Sequence, residues 1–330
     1  MSTPTPAYVD RIPAHLDRPL VTMDGSMRVD LHQHLWTEPL IEALASRGRL
    51  PRIDHSAGRA ILHSAGEVPY EIDLPGQTAD RRTAELDRNR LDRAVIALSS
   101  PIGIEALARD TALELIDAHL NGLDALGERF SGWGPLATDR PQPGDVDRLL
   151  ARGCVGVSLP AGALAGAAAL DALGPVLERI AHRGVPLFVH PGPGRDPGSE
   201  EAAVGQPAWW PALTTYVAEM QAAWFAFAAL GRPQHPQLLV VFSMLAGGAP
   251  LLSERLETRG GPTLDLRDPR VFYDTSSYGP AAVESMARRV GPQQLVYGSD
   301  RPVLDPLPTG RELELQENAA ALLAATRAPG

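Results

Sequence analysis

Eight short apolar runs between residues 28 and 299, each followed by a helix-compatible stretch, constrain this chain more than any other feature. They are RVDLHQH (28–34), RAVIAL (93–98), FSGWGPL (130–136), CVGVSLP (154–160), VPLFVH (185–190), QLLVVFS (237–243), RVFYD (270–274) and QLVYGS (294–299). Strands that alternate with helices pair in parallel, and eight such units close into a barrel of roughly 250 residues. The expected fold is therefore α/β, a distorted (β/α)8 TIM-like barrel. The 330 residues leave room for an amino-terminal extension (1–27) ahead of a single barrel domain (28–330), with insertions at about 48–85 after the first unit and 191–209 after the fifth strand. A doubly wound open sheet would use the same alternation. No Gly-x-Gly-x-x-Gly follows an early strand, however, and LPAGALAG (159–166) lacks that spacing.

Composition removes several chemistries. All thirty basic residues are arginine, so no Schiff-base lysine, P-loop lysine or carboxylated lysine bridging two metals can exist. A net charge of -10 offers no footprint for nucleic acid or anionic membranes. The single cysteine, Cys154, lies in an apolar run and has no internal partner, which fits a reducing cytoplasm. No apolar stretch is long enough to span a membrane, and the amino terminus lacks signal-peptide character, so a cytoplasmic protein is expected.

The chemistry gathers at strand ends. His32 and His34 close the first run at i and i+2, the spacing that puts two side chains on one face of a strand. Two neutral imidazoles so placed suit a divalent metal, provided other strands supply further ligands. His190 ends VPLFVH, and Asp300 directly follows QLVYGS. Both lie where barrel strands deliver side chains to the catalytic mouth. The other histidines fall in the extension, the first insertion, helical patterns or a proline-rich turn.

Together, the HxH of the first run, His190 in FVHPG, the FYDTSSYG run and the closing VYGSDRP resemble the amidohydrolase superfamily, in its amidohydrolase-related or aminocarboxymuconate-semialdehyde-decarboxylase-like branch. The resemblance covers about residues 28–305. It implies a barrel with one divalent metal, held by His32, His34, His190 and Asp300. The absent lysine agrees with one metal rather than two. Zinc is expected first, with manganese, cobalt or iron also compatible, because cellular supply and affinity order decide more than ligand type. The sequence departs from the branch after the sixth run. A histidine is usual there, and this chain reads Phe242-Ser243-Met244-Leu245-Ala246-Gly247-Gly248. A thioether has no proton to transfer.

The first expectation is thus a metal-dependent hydrolase of an amide, lactone or similar carbonyl bond in a small carboxylated metabolite, with Asp300 as catalytic proton carrier. The alternative is non-oxidative decarboxylation of an aromatic or enoic acid, and a second alternative is a non-catalytic metal- or ligand-binding barrel. Candidate substrate contacts are Ser158, Arg195, Trp209, Trp210, Met244 and Tyr278, with His63, Tyr70 and Tyr216 as further pocket candidates. Asp274 either hydrogen-bonds a ligand histidine or starts the following helix. A homodimer bridged by the insertions is the expected assembly, with a small molecule as the only other partner.

Overall fold

In the computed structural model, residues 27–56, 58–198 and 205–326 are described. The expected amino-terminal extension lies outside them except for Met27. The described residues form eleven strands, β1 (Val29–His34), β2 (Arg52–Ser56), β3 (Arg59–His63), β4 (Tyr70–Ile72), β5 (Arg93–Ala97), β6 (Phe130–Pro135), β7 (Gly156–Pro160), β8 (Leu187–His190), β9 (Val240–Phe242), β10 (Val271–Asp274) and β11 (Leu295–Val296). Eight of them form one parallel sheet in the order β1-β5-β6-β7-β8-β9-β10-β11, and all eight apolar runs fall on it. The ends of the sheet meet. Leu31 N donates to Tyr297 O at 2.9 Å, and Gln33 bridges Arg301 in parallel. The architecture is a nearly closed (β/α)8 barrel.

Alternation along each strand divides the apolar side chains between two layers. Inside the barrel, Val29, Leu31, Val95, Trp133, Phe188, Val241 and Val296 pack together. The Trp133 and Phe188 rings stack at 4.9 Å, and the indole N–H donates to Leu31 O at 2.8 Å. Truncating a fully buried tryptophan of this kind typically costs about 3–5 kcal/mol. Outside, residues such as Val157, Leu177 and Ile180 seal strands against helices. No described helix is long and apolar enough to cross a membrane.

One irregularity matters for the mouth. On β1 the register runs Asp30↔Ala94 and then Gln33↔Ile96, so β1 carries one residue more than β5 over the same span. A bulge of this kind re-aims the side chains that follow it. Val29 and Leu31 face the barrel interior, and beyond the bulge His32 faces it too, with its ring 5.1 Å from Phe188. Gln33 turns outward instead, where its amide donates to Asp30 Oδ2 and its carbonyl accepts from Arg82.

The stretch 48–85, read from the sequence only as an insertion, contains regular structure. β2, β3 and β4 form an antiparallel sheet, Ser56 pairs with Arg59 across a two-residue turn, and the helix Ala79–Arg88 follows. Gly58 takes φ +78° in that turn, a conformation that suits glycine and tight hairpins.

Candidate metal centre

His32, His34, His190 and Asp300 each offer a ligand atom, and these atoms lie within 4.8 Å of one another. His32 Nε2 and His34 Nε2 are 3.1 Å apart, and Asp300 Oδ1 lies 3.0 Å from His34 Nε2 and 3.6 Å from His32 Nε2. The His190 ring centroid is 4.9 Å from that of His32 and 5.1 Å from that of His34. All three imidazoles are buried.

The outer nitrogens explain this convergence. His34 Nδ1–H donates to Ala97 O at 2.8 Å, and His190 Nδ1–H donates to Pro191 O at 2.9 Å. His32 Nδ1–H donates to Asp274 Oδ2 at 2.8 Å. With each Nδ1 used as a donor, each Nε2 lone pair is left toward the centre, the tautomer a metal requires. Two lone pairs at 3.1 Å and a carboxylate beside them form a donor set with no internal hydrogen to share, which fits a divalent cation. The site favours positive charge even without one. Burial works against a charged His32, yet the Asp274 carboxylate overrides it and raises the imidazole to about 9. Burial and then the charges of His32 and His34 push His190 well below the ordinary histidine range. Burial acts to raise Asp300, but its close approach to His34 and the surrounding imidazoles hold it below the usual carboxylate range.

Of the two roles expected for Asp274, the structure shows the bond to a ligand histidine, since the following helix starts at Pro280 with Gly279 as its N-cap. Asp274 Oδ2 takes the His32 proton, while its Oδ1 accepts from Ser276 N, Ser276 Oγ and Met244 N. Gly298 lets these groups approach, because a Cβ there would lie 2.8 Å from Asp274 Cγ and 2.9 Å from His32 Cβ. Asp300 itself sits at φ +60°, with its N–H donating to His32 O at 2.8 Å.

Beyond β9, Met244, Leu245, Ala246, Gly247 and Gly248 all have positive φ, between 49° and 75°. Left-handed backbone disfavours the three non-glycine residues by about 1–2 kcal/mol each, so surrounding bonds must hold it. Asp274 and Ser276 hold the Met244 N–H, and Gln221 Nε2 donates to Gly247 O at 2.8 Å.

Two cavities cover the mouth, of about 240 Å³ and 300 Å³, sharing Glu67, Pro101 and Tyr216. Trp36, Tyr70, Ser99 and Val303 line the smaller one. It lies beside Asp300: Val303 N donates to Asp300 O, Trp36 lies two residues past His34, and Tyr70 and Tyr216 both feel the Asp300 charge.

Several candidate contacts lie elsewhere. Ser158, Arg195, Trp209, Trp210, Met244 and Tyr278 line neither cavity. Trp209 and Trp210 are 56% and 44% exposed and pack against each other at 5.6 Å, so neither is core and neither walls the pocket. Ala208 and Ala212 take that position. The Arg195 guanidinium is exposed to water, Tyr278 packs half-buried on the hydrophobic core, and Ser158 lies buried within the barrel wall, paired in register with Pro135 and Phe188. Met244 is buried, and its described bonds are those of its backbone. His63 pairs with Asp54. Trp36 and Glu67 were missed by the sequence reading, since no local pattern sets them apart from a core aromatic and a turn carboxylate.

No protein-family model matches the sequence, and comparison with curated proteins gives no match. Solved structures do match. Metarhizium anisopliae IDCase is 20% identical with a TM-score of 0.65, covering 91% of each chain. 5-Carboxyvanillate decarboxylase LigW from Sphingomonas paucimobilis is 18% identical with a TM-score of 0.66, covering 90% of this chain and 99% of its own. The 5-carboxyvanillate decarboxylase of Novosphingobium aromaticivorans, complexed with manganese and 4-hydroxy-3-methoxy-5-nitrobenzoic acid, is 15% identical with a TM-score of 0.64, covering 91% and 96%. The chain shares the barrel fold of these enzymes over about nine-tenths of its length. The order of the two reactions is corrected, because the matched enzymes are named as decarboxylases and hydrolysis loses its first place. Zinc loses its first place likewise, since manganese is the metal these complexes name.

Proposed function

We propose that this protein is a metal-dependent, non-oxidative decarboxylase of an aromatic or enoic acid. The observation that carries the reading is the convergence of three Nε2 atoms and the Asp300 carboxylate in one buried cluster. The decarboxylases of like fold supply the reaction class. His32, His34, His190 and Asp300 would hold the divalent ion. When bound, such an ion supplies Lewis-acid charge that orients and neutralises an acidic substrate.

The remaining chemistry belongs to the chain. Loss of carbon dioxide leaves an electron pair on the carbon that bore the carboxylate, and a proton must take its place. Asp300 is the group suited to carry it, being the one acid in the cluster and 13% exposed toward the mouth. It delivers a solvent-derived proton to that carbon as the carbon–carbon bond breaks, so that one carboxylate and one proton give one new C–H bond and one carbon dioxide. Asp274 keeps His32 in the required tautomer throughout. Met244 offers no proton where the branch commonly has an imidazole, which leaves the transfer to Asp300.

The test is carbon dioxide release from a panel of hydroxybenzoates by manganese-loaded protein. Turnover is expected on at least one member and is expected to fall at least about a hundredfold in Asp300→Asn, as for loss of a general acid. Manganese-loaded protein that releases no carbon dioxide from any member overturns the reading.

A further inference from the structure

The cavity over Asp300 carries a preference that the metal cluster alone does not supply. At about 240 Å³ it lies just under the roughly 300–1,000 Å³ range of small-molecule sites, room for a single ring. Most of its wall is apolar, from residues such as Leu62, Ile102, Ala208 and Val303. Ser64, Tyr70, Ser99 and Tyr216 add polar groups to that wall, and two further residues stand out. Trp36 is 4% exposed, and its indole N–H has no partner. A buried donor left unpaired costs free energy unless a ligand satisfies it. The second feature is Glu67, hydrogen-bonded to Tyr216 and extending into the adjoining 300 Å³ cavity.

Charge in this space has one sign. Among the described residues lining the two cavities there is no arginine or histidine, and the chain contains no lysine. The second cavity adds Glu219, whose Oε2 accepts from Gly192 N at 2.8 Å. Burial, and then proximity to Glu67, raises Glu219 to about 7. Burial raises Glu67 as well. A carboxylate entering far from the metal ligands therefore meets two carboxyl groups with no counter-charge among the described lining residues, and negative charge there is disfavoured. A hydroxyl or amino group there meets a ready acceptor.

We infer that this cavity is a ring subsite selecting a monocarboxylic acid with a hydrogen-bond-donating substituent, and that Glu67 is the residue excluding a second carboxylate. The inference rests on the decarboxylase reading for the placement of the first carboxylate at the metal cluster. It is read by binding rather than turnover, so the two can fail separately.

The experiment is equilibrium titration of manganese-loaded protein with 3-hydroxybenzoate and with benzene-1,3-dicarboxylate. Wild type is expected to bind the hydroxybenzoate at least about tenfold more tightly. Glu67→Gln keeps the shape and removes the charge, and is expected to shrink that ratio to about threefold or less, chiefly by admitting the dicarboxylate. Tyr216→Phe frees Glu67 from its internal donor and is expected to widen the ratio, so the two variants move in opposite directions. Equal binding of the two probes by wild type, no binding of either, or a ratio that Glu67→Gln leaves unchanged or Tyr216→Phe narrows overturns the inference. A preserved binding ratio without carbon dioxide release counts against the decarboxylase reading alone.

Discussion

The two sides of the barrel mouth are built differently. On the side formed by β1, β5, β8 and β11, side chains carry the chemistry: three imidazoles and a carboxylate converge, and acceptors from Ala97, Pro191 and Asp274 fix the imidazole tautomers. Beyond β9 the backbone dominates, as a five-residue left-handed turn bonded to Asp274 through the Met244 N–H. Asp274 belongs to both sides, giving one oxygen to His32 and the other to the turn. The contrast teaches that a site can be held without an imidazole after β9, because the turn and the candidate metal ligands share one buried anchor.

Removing a ligand breaks the comparison most severely. His190→Ala is expected to cut manganese binding, measured by metal analysis after dialysis, by more than the about 10–100-fold typical of losing an outer hydrogen-bond partner. Asp274→Asn is next. Metal affinity is expected to fall by about 10–100-fold and the thermal midpoint to drop as well, because one change disturbs both the His32 proton and the turn. A drop in affinity with an unmoved midpoint would show that the turn does not depend on Asp274. Met244→His restores an imidazole to the side that lacks one, at a φ of +50° that histidine tolerates better than most residues. Less than about a tenfold gain in carbon dioxide release is expected. A gain in the about 10²–10⁴-fold range of a working acid or base would show that the side beyond β9 is damaged rather than adapted.

The smallest effect concerns Glu105, in the loop beyond β5, where burial raises the carboxyl to about 7 and Ser100 Oγ bonds to it at 2.5 Å. A carboxyl whose folded pKa exceeds its unfolded value stabilises the fold at low pH, and the contribution is lost as pH rises from about 4.5 to about 7. Over that interval metal-free wild type is expected to lose up to an order of 3 kcal/mol of stability from this group, and Glu105→Gln should flatten the decline in denaturant titrations.

Much of this was legible in the sequence, for physical reasons that differ from residue to residue. The eight barrel strands show because both of their faces are buried, which makes most of the runs largely apolar, with polar residues concentrated at their ends and in the first run. His32, His34, His190 and Asp300 stood out as metal-ligand types at the ends of such runs. β2 and β3 were not seen because Arg52, Asp54, His55, Arg59 and His63 interrupt their apolar residues, and Ala57-Gly58 between them is not among the common hairpin dipeptides. Gly247 and Gly248 hinted at left-handed backbone beyond β9, but nothing local required Met244, Leu245 and Ala246 to join them. Glu67 and Trp36 gain their roles only when separate segments meet over Asp300, and no spacing along the chain records that meeting. The tryptophan pair misled because helix-like spacing does not say which side of a short helix faces water.

The extra residue in β1 ties chelation to an irregularity that no signature residue records. With the bulge, Leu31 and His32 both face the interior. Strict alternation over the same residues from Val29 would turn both imidazoles among the outer helices, although every motif would still read correctly on paper. Chains of this type can therefore lose their chemistry through a change in strand pairing that leaves each signature residue in place.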